Sequence, residues 1–297
     1  MFCEKLGAIE IHKVTELPGL AMAATALLPS VTPDILTEGR SWLGPAFIHP
    51  SDAVVYLSFH SFLVRTGRHN ILVDTCCGNC KQRLSMPGWH NLDTPYLQEL
   101  ARTGLTPEDI DIVICTHLHA DHVGWNTQLV DGRWVPTFPN ARYIFGRRDF
   151  EHWQALYESN PPNPVNRGAH EDSVRPIVER GMAELVESDF VVEGEPGDGI
   201  WLEPSPGHSP GHFSVNVAGG GRHALLCGDV IHHPLQLTHP HLRIAADFDS
   251  AQAEASRRAM LERLADSDSL LLTAHFAAPT AGRVIRQGKA FGFRFNT

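Results

Sequence analysis

A chain of 297 residues, 42% of them hydrophobic, is long enough to bury a large core. Its formal net charge of −10 argues against nucleic acid or an anionic membrane surface as a partner. No apolar run approaches the roughly 20 residues that span a bilayer; Leu20–Leu28 is short and follows Glu4, Glu10 and Glu16, so the expectation is a mature cytoplasmic chain with no secretory signal.

Taken in chain order, alternating segments at Ala53–Val64 and Asn70–Asp74 read as an antiparallel pair joined by Arg65-Thr66-Gly67-Arg68. Thr94-Pro95 reads as an N-cap and first helical proline, opening a helix to about Arg102 that Gly104 ends. Asp111–Thr116 is a strand, Arg142–Phe145 another, and Arg148–Ser159 a helix. Ser173–Glu187 is expected to be helical despite Pro176. Strands follow at Gly199–Glu203, His212–Val217 and Arg222–Cys227, then a helix from Ser250 to about Asp266 and a strand ending at His275. This alternation argues for a mixed sheet with helical cover. Neither an internal repeat nor a long linker is present, so residues 1–297 are expected to form a single domain.

The densest chemistry follows the strand Ile112–Cys115. Thr116-His117-Leu118-His119-Ala120-Asp121-His122 packs three imidazoles and a carboxylate into six residues, a donor set that suits a borderline divalent ion such as zinc. In an extended segment residues two apart share a side, so His117 and His119 can converge on one ion while Asp121 and His122 reach toward a neighbouring one. The chain has 18 His, so clusters arise by chance more often than usual. Yet further His and Asp residues recur at turns and strand ends. They are Asp74 after Ile71-Leu72-Val73, His208 in Pro206-Gly207-His208-Ser209-Pro210-Gly211-His212, Asp229 after Leu225-Leu226-Cys227-Gly228, and His275 after Leu270–Ala274.

In that order, H-x-H-x-D-H, P-G-H-S-P-G-H, G-D and A-H resemble the metallo-β-lactamase-fold hydrolases from about Phe59 to Gly282. The resemblance implies an α/β fold, an αββα four-layer sandwich of two mixed β-sheets. It also implies two divalent metal ions, Zn2+ first, with iron or manganese accepted by the same ligands. Carried over, His117, His119 and His208 would hold the first ion, Asp121, His122 and His275 the second, and Asp229 would bridge them. His212 is expected to hydrogen-bond nearby, and Asp74 to orient a ligand.

His119–Asn126 and Gly228–Pro234 look most like the branch of acyl-homoserine lactonases and organophosphate hydrolases, which lacks the Cys ligand of the broad β-lactamases. Lactonases of this branch place a substrate-binding Tyr three residues after the bridging Asp, where this chain has His232. The implied activity is hydrolysis of a lactone or ester, with Asp121, Asp229 and His232 as catalytic groups, a small-molecule substrate and a homodimer. The alternatives are a β-lactam or thioester hydrolase of this fold, or a diiron redox protein, whose usual Glu ligand and flavin domain are missing here. Gly207-His208-Ser209 is not a nucleophile elbow. Asn160–His170, Trp125–Asn140 and Trp42–Phe47 read either as surface loops or as walls of a substrate pocket. Of six cysteines, Cys115 and Cys227 read as inert core, and Cys77-x-x-Cys80 lacks the second pair a structural zinc site needs.

Overall fold

In the computed structural model, residues 2–159 and 164–296 are described, and they divide into two compact units. Among the described residues the first comprises 2–17, 59–159 and 164–188, the second 18–58 and 189–296.

Sixteen strands are present among the described residues. β1 to β9 are Cys3–Leu6, Ile9–Ala23, Val54–Arg65, Asn70–Val73, Ile112–Cys115, Thr127–Val130, Arg133–Pro136, Arg142–Gly146 and Ala183–Val186. β10 to β16 are Val191–Glu195, Asp198–Pro204, Phe213–Gly219, Arg222–Leu226, Leu270–Leu272, Ala281–Gln287 and Ala290–Phe295. Two mixed seven-stranded sheets result, ordered β1-β2-β3-β4-β5-β8-β9 and β10 through β16 in sequence order, with β6-β7 as a separate ribbon. This is the mixed α/β architecture with two large sheets that the resemblance implies.

In the first sheet, β3 and β4 pair antiparallel, while β4, β5, β8 and β9 are parallel neighbours. Every residue of β5 is buried, as befits a parallel strand covered on both faces. The second sheet is antiparallel apart from the β13–β14 pairing of Ala224–Leu226 with Leu270–Leu272. In each sheet the candidate site side chains leave at the ends of the short parallel strands, where open α/β sheets place their ligands.

Three expectations need correction. Ser173–Glu187 is not one helix: a π-turn, His170–Val174, leads into the helix Arg175–Glu179, which stops before Gly181 at φ +69°, and β9 follows. The strand wins because Ala183–Val186 completes the parallel ladder on β8. Thr94 does not cap the helix Tyr96–Ala101, since its hydroxyl is engaged by Glu16 and Asn79. Trp125 is no pocket wall: it is buried, stacks on Tyr96 at 5.2 Å and donates to Glu16 Oε1 at 2.7 Å. Residues 160–163 of the Asn160–His170 loop lie outside the described residues.

Candidate metal centre

In the first unit the segment after β5 is irregular but pinned at several points. Thr116 N donates to Asp74 Oδ1 at 2.8 Å, and Leu118 N donates to Asp149 Oδ2 at 2.8 Å. Thr75 N donates to the His122 carbonyl at 2.7 Å, and the Asn166 carboxamide donates to the Leu118 carbonyl. These bonds satisfy a buried backbone that has no strand partner, and so fix where its side chains leave the chain.

His117, His119 and His122 are all buried, with the His117 ring 4.5 Å from that of His119 and 4.1 Å from that of His122. Ligand atoms of His117 and His119 lie within 4.8 Å of each other, as do those of Asp121 and His122. His122 places Nδ1 at 2.9 Å from Asp74 Oδ2, and His117 places Nδ1 at 3.1 Å from Thr116 Oγ1. An acceptor at Nδ1 puts the proton there and leaves Nε2 with its lone pair for a cation. Asp74 therefore has the orienting position expected of it, held at φ +57° where the chain turns out of β4.

The second unit repeats this logic around one carboxylate. Asp229 follows β13, with Oδ2 at 3.1 Å from His208 Nε2 and Oδ1 at 3.0 Å from His275 Nε2. The outer nitrogens are anchored: His208 Nδ1 at 3.0 Å from Asp247 Oδ1, and His275 Nδ1 donating to the Ser58 carbonyl at 3.1 Å. Burial alone would lower His208, but the Asp229 and Asp247 carboxylates on either side push it up to about 9. The pocket around this ring thus strongly favours positive charge. His212 is not in this ligand group; its Nε2 accepts from Asp229 N at 2.9 Å and its Nδ1 meets Ser205 Oγ at 2.8 Å.

His232 is buried beside the same carboxylate, its Nε2 2.9 Å from Asp229 Oδ2 and its ring stacked 5.2 Å from His275. Burial pulls His232 down to about 4 despite Asp229, so the ring is neutral at physiological pH. His233 is also pulled down to about 4 by burial, and its Nε2 is tied to the Phe47 carbonyl at 3.1 Å.

The donor chemistry fits divalent cations. Buried imidazoles with anchored Nδ1 atoms and a carboxylate offering one oxygen to each of two rings are what a borderline ion requires. Asp247 and Glu16 are among the contributors that the sequence reading does not single out. Asp247 reaches His208 from a loop 39 positions away. Glu16 accepts from Cys77 N, Gly78 N, Thr94 Oγ1 and Trp125 Nε1, organising the loop that follows Asp74. Burial pushes the Glu16 carboxyl up, against the pull of those four bonds. The cysteines are all free thiols; Cys76, Cys77, Cys115 and Cys227 are buried, and burial drives the first three thiols well above their ordinary value.

A family model described as the Metallo-beta-lactamase superfamily matches residues 59–275. A Mycobacterium tuberculosis protein named as a metallo-hydrolase is 25% identical over 245 residues, covering 74% of this chain and 75% of that one. An N-acyl homoserine lactonase of Bacillus cereus is 30% identical over 122 residues, covering 40% of this chain and 37% of that one. Among solved structures, the dizinc quorum-quenching lactonase AidC, in complex with its product, superposes with a TM-score of 0.81 at 20% identity, covering 100% of this chain and 97% of that chain. The hydrolase AbOPH gives 0.79 at 21% identity, covering 100% of this chain and 97% of that one. At such identities the structural likeness speaks for the fold. The chain belongs to the metallo-beta-lactamase superfamily.

Proposed function

We propose that the chain hydrolyses lactones or related esters at a binuclear centre, with the whole of 1–297 acting as one domain. His117, His119 and His208 would hold one divalent ion, Asp121, His122 and His275 the other, and Asp229 would serve both; zinc is the first choice. The observation that carries this reading is Asp229, whose two oxygens are divided between His208 and His275. Such a carboxylate would offer one oxygen beside each imidazole. The lactonases among the relatives and structural neighbours support the choice of substrate class.

The chemistry such ions would supply is polarisation of the scissile carbonyl and acidification of a bound water. Asp229 and Asp121 orient the attacking water. Asp121, the more accessible carboxylate, takes its proton and returns it to the departing alkoxide. The carbonyl carbon gains an oxygen, the ring C–O bond breaks, and a hydroxy acid leaves. His232 holds Asp229 in place through Nε2 and, being neutral, does so across the physiological range.

A panel with the metal-loaded enzyme tests this reading. It comprises γ-lactones and acyl-homoserine lactones of varied chain length, aryl esters, a phosphotriester and a β-lactam. Lactones are expected to be turned over fastest, with the phosphotriester a slow side reaction. Turnover confined to the β-lactam or a thioester, or a coloured diiron centre with oxygen chemistry and no hydrolysis, would overturn it.

A further inference from the structure

A second group of metal-type ligands sits on the hairpin β1–β2, on residues that the hydrolytic reading does not use. The register pairs Cys3 with His12, Glu4 with Ile11, Lys5 with Glu10 and Leu6 with Ile9. Side chains alternate across a strand, so Leu6, Ile9 and Ile11 turn into the core while Cys3, Lys5, Glu10 and His12 share the opposite face. Cys3 Sγ lies 3.9 Å from His12 Nε2, and the same nitrogen lies 3.2 Å from Glu10 Oε2. One ligand atom from each of the three falls within 4.8 Å of the others.

We propose that Cys3, Glu10 and His12 form a surface site for a zinc-type divalent cation. Thiolate, imidazole and carboxylate are its three common ligand classes, and hard ions such as magnesium or calcium avoid the first two. Around a tetrahedral zinc, sulfur-to-nitrogen and nitrogen-to-oxygen separations are both about 3.5 Å, given bond lengths of about 2.3 Å to sulfur and about 2.0–2.2 Å to the others. The observed 3.9 and 3.2 Å bracket that value, so rotamer adjustments alone close the site. Lys5 does not occupy the position: it pairs at 2.7 Å with Oε1 of Glu10, the oxygen turned away from His12, and keeps the carboxylate ionised and fixed. Three protein ligands leave the fourth position to water. Because β1 is the outermost strand of its sheet, a bound ion would clip that edge to β2.

The test is a Co2+ titration of the chelator-stripped full chain in a phosphine reductant, read by cobalt–thiolate absorption. None of the ligands assigned to the hydrolytic centre is a cysteine, so a band that Cys3→Ser abolishes and Cys80→Ser keeps reports this site. The wild type is expected to develop the band, Cys3→Ser to lose it, and His12→Ala to lose it or to need at least about tenfold more metal, since even an indirect partner of a ligand is worth about 10–100-fold. Cys80→Ser, which removes the other exposed thiol, is expected to keep it. Zinc should raise the melting temperature of Cys80→Ser more than that of Cys3→Ser. Absence of the band in the wild type, or its survival in Cys3→Ser, overturns the proposal and leaves the hydrolytic reading untouched.

Discussion

His208 is held between two carboxylates, and that arrangement makes Asp247 the most informative neighbour to change. Asp247→Asn keeps the shape but removes the charge that anchors Nδ1. Metal affinity and activity are expected to fall about 10–100-fold, as is usual when a ligand's orienting partner is lost; unchanged values by calorimetry and steady-state kinetics would show that His208 needs no such anchor. His232→Phe should lower kcat about tenfold with metal content unchanged, because Asp229 loses a hydrogen bond but not its ligand role. Equal loss of metal and turnover would instead make His232 part of the metal shell. His117, His119, His122, His208, Asp229 and His275 stand out in the sequence as candidates because each follows a short apolar strand or sits in a Gly/Pro turn. Asp247, Asp149 and the Ser58 carbonyl were invisible, since they arrive from distant segments with no local signature.

Strands and turns were read from the sequence better than caps and short helices. β3, β4, β5, β8, β12 and β13 were anticipated because alternation or continuous apolarity marks them strongly. The Ser173–Glu187 error arose because four residues, Ala183–Val186, are too few to show a period, and only the neighbouring β8 makes them a strand. The β1–β2 hairpin, with its Gly7 turn at φ +61°, and the closing strands β15 and β16 were not anticipated at all. At this scale the turn before His208 carries a prediction. Gly207 sits at φ +127°, and a Cβ there would lie 2.1 Å from the backbone nitrogen of Ala253, in the first turn of the helix Ser250–Leu264. Gly207→Ala should destabilise the fold by at least about 1–3 kcal/mol from backbone strain alone. A denaturation midpoint equal to that of the wild type would refute the rigid seating of this turn.

For the molecule as a whole, the fold and a donor set suited to divalent cations were legible, whereas the substrate was not, because one scaffold hosts many activities. Stability offers a separate handle. Lys81 is fully buried, its Nζ 2.6 Å from Thr127 Oγ1 and 3.6 Å from the centre of the Trp134 ring, and burial lowers it from its ordinary 10.5 to about 7. Between those values the unfolded chain binds the proton that the folded chain has released, so stability rises as pH climbs from about 7 toward 10.5. Denaturant melts across that window should show the rise in the wild type and a flatter profile in Lys81→Met; identical slopes would place the proton elsewhere. The central claim, that seven His and Asp side chains serve one pair of ions, is tested most directly by counting bound metal in the Cys3→Ser background, where the surface hairpin contributes none. The expected count is about two ions per chain, the number a bridged hydrolytic pair requires, falling by at least one in His117→Ala and in His275→Ala as lactone hydrolysis collapses. An unchanged count in both variants would contradict the account.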